Sequence, residues 1–284
     1  MSPDARDIGA PIAYLAAGTG PAEHRIYPLS SGRRLVRPEH EFHPVQIRDC
    51  RGLSPAPTVE QHGFELLTQP TAVPDLWDND AIRADYYAEV RDLLRGRLNA
   101  EEVLVFDHNQ RSAARAAAGQ SGVRTPVQAA HVDYTPTSGP RRAAEILRAA
   151  GREELLGRHL ALVNVWRPIR GPVEDMPLAV CDPRSTAPAD FARTLIHHFG
   201  ENDLENPSHS GEIYSVRHNV AHRWYYASAM QPSEVLLLLN WDSRDEAHRC
   251  FTPHTGFALS ATPLGAEPRE SIEARTLVIY PEAC

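Results

Sequence analysis

Apolar residues in the first hundred positions set out one helix. Ile82, Tyr86, Val90, Leu93, Leu94 and Leu98 recur at three- and four-residue spacing, which lays a single apolar stripe along one face. Asp78 or Asp80 stands where a side-chain oxygen can cap the first free N–H groups. Around this helix, residues 44–47 and 64–67 read as short strands. From residue 101 onward the pattern changes. Short apolar, β-branched and aromatic runs at 103–106, 127–134, 159–167, 178–181, 213–216, 223–227, 235–241, 250–257 and 271–280 predict strands. Helices are predicted only at 141–150 and 190–199, the second closed by Gly200.

Many short strands joined by Pro- and Gly-containing turns favour a mainly β fold with flanking helices, a jelly roll or double-stranded β-helix of cupin-like form. A doubly wound α/β fold fits worse, because no G-x-G-x-x-G follows a strand. Residues 1–24, rich in Ala, Gly and Pro, read as a loosely ordered leader. The rest, 25–284, reads as one domain, with a mixed helical support at 25–100 and a jelly-roll core at 101–284. No repeat or low-complexity linker divides it.

Composition narrows the chemistry. The chain has 284 residues and a net charge of −8. All 29 of its basic side chains are arginine, so no mechanism can use a lysine amine. No basic run suggests a nucleic-acid partner. No apolar run is long enough to cross a bilayer. Cys50, Cys181, Cys250 and Cys284 are scattered, with no C-x-x-C. A cytoplasmic protein with a small-molecule substrate is the expectation; oligomeric state is not encoded legibly.

Three segments carry candidate chemistry. In His131-Val-Asp133, the only H-x-[DE] triplet in the chain, strand alternation points both side chains to one face. An imidazole and a carboxylate so placed can supply two legs of a two-histidine, one-carboxylate facial triad. A His and an Asp at an ordinary strand end would look the same. His254, beside Pro253 near the last strands, is the favoured third leg, ahead of His218, His222 and His248. Third, Arg269, Ser271, Glu273 and Arg275 alternate onto one face at the start of the last strand. An arginine there can grip a dicarboxylate through a forked ion pair, with a serine hydroxyl beside it, although an exposed Arg–Glu ladder has the same spacing. Tyr134, Thr135, Asn164, Trp166 and Trp224 are candidates to line a substrate pocket.

Taken in order, His131-Val-Asp133-Tyr134-Thr135-Pro136, Asn164-Val-Trp166-Arg167-Pro168-Ile169, His222-Arg-Trp224-Tyr-Tyr226, Asn240-Trp-Asp242-Ser243, Pro253-His254-Thr255 and Arg269-Glu-Ser271-Ile-Glu273-Ala-Arg275 resemble one family. It joins the cephamycin methoxylation component to fungal hydroxylase/desaturases, and its members are Fe(II)/2-oxoglutarate-dependent dioxygenases. The resemblance runs from about residue 40 to the C-terminus. It implies a double-stranded β-helix, with iron held by His131, Asp133 and His254. It implies 2-oxoglutarate and O2 as co-substrates, with Arg269 and Ser271, or else Arg275, on the distal carboxylate. It further implies hydroxylation, desaturation or oxidative ring closure of a small secondary metabolite. A carboxylate at Asp133 fills the position a halide would need, which disfavours a halogenase. A cupin-type metalloenzyme without 2-oxoglutarate and a non-catalytic binding jelly roll are the competing classes.

Overall fold

A computed structural model describes residues 6–18, 22–244, 251–259 and 262–282. Among the described residues the strands are β1 (Ile8–Leu15), β2 (Ala22–Ile26), β3 (His40–Asp49), β4 (Phe64–Thr68), β5 (Glu102–Ser112), β6 (Val123–Arg124), β7 (His131–Val132) and β8 (Leu160–Pro168). They continue as β9 (Leu178–Cys181), β10 (Phe191–Gly200), β11 (Asp203–Val216), β12 (Trp224–Tyr226), β13 (Glu234–Asp242), β14 (His254–Gly256) and β15 (Glu270–Ile279). A nine-stranded sheet runs β1-β3-β12-β9-β14-β7-β11-β10-β2, and a six-stranded sheet runs β4-β13-β8-β15-β5-β6. The two face each other as a jelly roll.

Residue type explains which face goes where. β8, Leu-Ala-Leu-Val-Asn-Val-Trp-Arg-Pro, is buried along its whole length, as a near-continuous apolar strand must be when both its faces are covered. One face, with Val163 and Val165, joins Ile272, Ala274 and the helices Tyr87–Leu98 and Ser138–Ala149 in the largest core cluster. The other face, with Asn164 and Trp166, looks across at the larger sheet, where Trp166, Leu236, Leu238, Phe64, Val180 and Tyr225 pack together. Polar residues of β5, β8 and β15 share that inward face beyond this apolar plug, and it forms the chamber of the protein.

The predicted helix from Asp78 forms, with the Asp78 side chain accepting from the N–H groups of Asp80 and Ala81. It passes through a π-helical turn at Ile82–Tyr86 before Tyr87–Leu98. The second predicted helix, at 141–150, extends over Ser138–Ala149.

Three expectations are corrected. Residues 191–199 are not a helix but lie in strand β10, paired over its length with β11, and Asp190 ends the short 3-10 turn before it. Phe191, Leu195 and Phe199 are spaced for a helix, yet β-branched Thr194 and Ile196 fit a strand, and a long antiparallel partner overrides local preference. Gly200 ends no helix; it lies at the register shifts that close the β10–β11 hairpin. Within the expected leader 1–24, residues 8–15 and 22–24 lie in strands β1 and β2. β1 pairs with β3 from Ile8↔Ile47 to Leu15↔His40, and Ile12, Tyr14 and Leu15 are 1%, 0% and 1% exposed. Ala, Gly and Pro obscured an alternation that only the partner strand makes visible. Lastly, the β core does not begin at 101, because β3 and β4, within the 25–100 support, are members of the two sheets. Of the strand expected at 250–257, Cys250 lies outside the described residues and the rest narrows to β14.

Because Ile12 is sealed inside the structure, Ile12→Ala should lower unfolding free energy by about 2–5 kcal/mol. Urea denaturation followed by circular dichroism measures it; a loose leader would give no change.

Candidate metal centre and co-substrate pocket

β7 and β14 are neighbours, and their pairing puts His131 directly opposite His254. Cross-strand partners share a face, and Asp133, two residues past His131, points the same way. The result is a cluster of three. Asp133 Oδ1 stands 3.6 Å from His131 Nε2 and 3.8 Å from His254 Nε2, and one ligand atom from each residue lies within 4.8 Å of the others. Two bonds of about 2.1 Å to a shared ion bridge such Asp–His separations.

The surroundings orient each donor atom. His131 Nδ1 lies 2.8 Å from the carbonyl oxygen of Ala129, and His254 Nδ1 lies 3.1 Å from that of Thr252. A proton on Nδ1 donated to each carbonyl leaves both Nε2 lone pairs facing Asp133. Asn164 Nδ2 donates to Asp133 Oδ2 at 2.8 Å, so Oδ1 is the oxygen left for the imidazoles. Burial, followed by the charge of His254, pulls His131 down to about 4, which keeps the ring neutral and able to donate a lone pair. Burial would raise the Asp133 carboxyl, but His254, His131, Arg275 and the Asn164 hydrogen bond outweigh it and hold it below its ordinary value. The donor set therefore suits a divalent transition-metal ion.

Across the chamber, the two arginines of β15 and its approach differ. Arg275 forks onto the Asp107 carboxylate through Nε and Nη2. Arg269 has no such partner. Its Nη1 donates to the Met176 carbonyl at 2.7 Å and its guanidinium lies 5.6 Å from the Trp166 ring centre, while its Nε is buried without a partner. The Ser271 hydroxyl is likewise buried and unpartnered. Burial, then the nearby charge of Arg111, lowers Arg269 to about 9. A buried cation and a buried hydroxyl, both missing an acceptor, form a cradle for an anion. Gly256 makes room for it: a Cβ there would stand 3.0 Å from the Val127 carbonyl oxygen and 3.3 Å from Arg269 Nη1.

The pocket candidates divide. Asn164 and Trp166 face the chamber, as described. Tyr134 is packed in the large core cluster instead. Thr135 caps the following helix: its Oγ1 accepts from the N–H groups of Thr137 and Ser138 at 3.1 and 3.0 Å and donates to Glu212. Trp224 is on the far face of the large sheet, opposite Cys181, and is fully buried with Nε1–H donating to the Tyr14 hydroxyl at 2.6 Å. Its neighbour Tyr225, one residue on, takes the inward face. The rival histidines are engaged away from the cluster: His222 with Asp190 at 3.1 Å and His218 stacked on His43 at 3.9 Å. His248 lies outside the described residues. Sequence reading missed the inward row Asp107, Asn109 and Arg111, which stand opposite Arg275, Glu273 and Ser271. Residues 107–112 are polar without interruption, so no alternation marked an inward face, and the strand was expected to stop at 106.

The profile of an oxidoreductase/YMDC permease-like domain matches residues 13–279. The hydroxylase/desaturase efuI of Hormonema carpetanum is 30% identical over 259 residues, covering 86% of each chain. The alpha-ketoglutarate-dependent dioxygenase tstK of Talaromyces stipitatus is 30% identical over 249 residues, covering 83% of this chain and 84% of that one. The chain belongs to the Fe(II)/2-oxoglutarate-dependent hydroxylase/desaturase family. The fold of this family member also matches the solved iron and alpha-ketoglutarate-dependent endoperoxidase NvfI, with a TM-score of 0.82 over 97% of this chain and 99% of that one, at 23% identity. Among the described residues of this hydroxylase/desaturase relative, no helix is long and apolar enough to cross a membrane.

If Thr135 is a cap and not a pocket wall, Thr135→Val should cost about 1 kcal/mol of stability, up to ~2. The urea midpoint reads this; an unmoved midpoint would return Thr135 to the pocket candidates.

Proposed function

We propose that His131, Asp133 and His254 hold ferrous iron and that Arg269 and Ser271 hold the distal carboxylate of 2-oxoglutarate. The observation that carries this reading is the pairing of a three-donor cluster with a buried, anion-starved Arg–Ser cradle in the same chamber. The protein is an Fe(II)/2-oxoglutarate-dependent oxygenase acting on a small molecule. Iron with 2-oxoglutarate and O2 supplies the oxidising power to take hydrogen from an unactivated C–H bond. The chain's own residues position and enclose. The two carbonyl-anchored imidazoles and the Asn164-anchored carboxylate present fixed lone pairs to one ion. Arg269 neutralises the keto-acid's far end, Ser271 donates a hydroxyl to it, and the plug around Trp166 closes that side to water.

Hydroxylation, desaturation and oxidative ring closure are all within this reading, as the relatives' names span hydroxylase/desaturase and endoperoxidase. One relative, 36% identical over 159 residues, is an aspirochlorine biosynthesis protein of Aspergillus oryzae, which supports secondary-metabolite biosynthesis as the setting. The proposed catalytic unit includes β1 and β2. The buried free thiols Cys50 and Cys181 fit a reducing compartment such as the cytoplasm.

Two measurements test it. In an anaerobic titration followed through the visible iron–2-oxoglutarate band, Arg269→Ala should raise the half-saturating 2-oxoglutarate concentration roughly 10–100-fold, the worth of a charge-assisted hydrogen-bonded pair. Arg275→Ala should move it about twofold at most while lowering stability, since Asp107 loses its forked partner and keeps only Arg142, at 3.9 Å; equal effects from the two would sink the clamp. Separately, Asp133→Ala should abolish iron binding with cooperative unfolding intact. Asn164→Leu should weaken iron binding about 10–100-fold, because it frees the carboxylate to rotate. Iron bound as tightly by Asp133→Ala as by the natural chain would refute the ligand set.

A further inference from the structure

Register extends the chamber's inward face well beyond the metal cluster. In the large sheet, His131 stands opposite Ser215. Two residues at a time along β11 the same face carries Ile213, Gly211 and His209, whose partners on β10 are Thr194, Ile196 and His198. Ile196 in turn stands beside His24 of β2. In the small sheet, Arg111 stands between Ser271 of β15 and Arg124 of the edge strand β6. One flank of the chamber is thus lined by Arg111 and Arg124 on one sheet and His24, His198 and His209 on the other.

The charged neighbours of these groups agree with that placement. Those of His198 are His209 and Arg124, across the opening. Those of His24 are His40, Arg37 and His131. Those of Arg124 are Arg111, Arg275 and Asp107, and Asp107 is already forked by Arg275. Neither Arg111 nor Arg124 forms an ion pair among the described residues; the Arg111 guanidinium donates only to the Thr125 carbonyl, at 2.9 Å. The remaining inward carboxyl, Glu273, is raised by burial and then by Asp133, against the lowering charges of Arg111, Arg275 and His131; it forms no ion pair with Arg111 among the described residues. In a chain of net charge −8, unpaired arginines gathered at one opening are a local inversion of sign, which draws anions toward the opening and rejects cations.

We propose that Arg111 and Arg124 form the recognition site for a carboxylate on the small-molecule substrate, so that the substrate class is an organic acid. The proposal rests on the iron and 2-oxoglutarate reading above. Arg269 and Ser271 are committed to the co-substrate on that reading, so a second anion site one strand over is surplus to it. A planar carboxylate can take the guanidinium N–H groups of Arg111 that do not reach Thr125, and Arg124 at the edge can close on it from outside.

The test uses the intact protein loaded anaerobically with Fe(II) and 2-oxoglutarate. Benzoic, cinnamic and 2-naphthoic acids are each compared with their own primary amide, binding being read as a shift of the visible iron–2-oxoglutarate band. The expected result is that at least one acid binds roughly tenfold tighter than its amide at low salt, with the preference fading as salt is added. Arg111→Gln and Arg124→Gln should each remove most of that preference while the band itself persists. Arg124 is on an exposed edge strand, so its variant stays informative should Arg111→Gln fail to fold. Acids and amides binding alike, neither binding, or a preference untouched by both variants overturns the proposal. Loss of the band in the natural chain, before any probe is added, would instead overturn the iron and 2-oxoglutarate reading.

Discussion

Everything in the chamber depends on one cross-strand contact, His254 of β14 opposite His131 of β7. Both strands are very short: β7 has two residues and β14 three. Side chains alternate along a strand, so a slip of one residue would turn one imidazole to the opposite face and dissolve the cluster. The register is held from outside these strands. β14 pairs with β9 through His254↔Val180, Thr255↔Ala179 and Gly256↔Leu178, and β7 pairs with β11 through Ser215 and Tyr214. Val180 and Leu178 are buried in the plug with Trp166. Apolar packing on one side of the chamber thus fixes a polar geometry on the other.

A second constraint decides which buried charges are free to bind. A buried arginine without an acceptor is unfavourable, and native proteins normally supply one. Arg275 has Asp107 and Arg51 has Glu234, forked at 2.7 and 2.6 Å. Arg269 Nε and Ser271 Oγ lack such partners. Such exceptions are tolerated where a ligand completes the set. The contrast between Arg269 and Arg275, six residues apart, is that the second is braced by Asp107 while the first has no carboxylate on its guanidinium.

How much of this was legible in the chain follows from how local each signal is. His131 and Asp133 were legible because a period of two is a property of any strand. The Asp78 cap and the apolar stripe behind it were legible for the same reason, being set within a few residues. The different pairing of Arg269 and Arg275 was not, because it turns on Asp107, 168 residues before Arg275. Trp224 was misplaced for a related reason: three aromatics in a row do not reveal which one faces inward, and pairing with Cys181 turns Tyr225 inward instead. β10 was read as a helix because its partners, β11 and β2, could not be inferred from its own letters. β1 was discounted because its composition looks loose while its alternation, Ala10, Ile12 and Tyr14 on one face, is regular. The family resemblance supplied the fold and the cofactors where local reading stopped.

The small sheet shows how such a site can be afforded energetically. β15 carries Ser271, Glu273 and Arg275 inward and Ile272 and Ala274 outward, with a register shift against β5 after Arg275. Past that shift, Leu277, Val278 and Ile279 are all buried. One end of the strand therefore supplies polar groups to the chamber, while its back and its far end are sealed in the largest core cluster beneath the Tyr87–Leu98 helix. Polar groups desolvated on one face are offset by apolar burial on the other face of the same rigid element. The unpartnered polar groups are thus held on a rigid element and not on a loop. For that reason the arginines on this sheet are better suited to recognise ligands than equally charged residues on the turns around it.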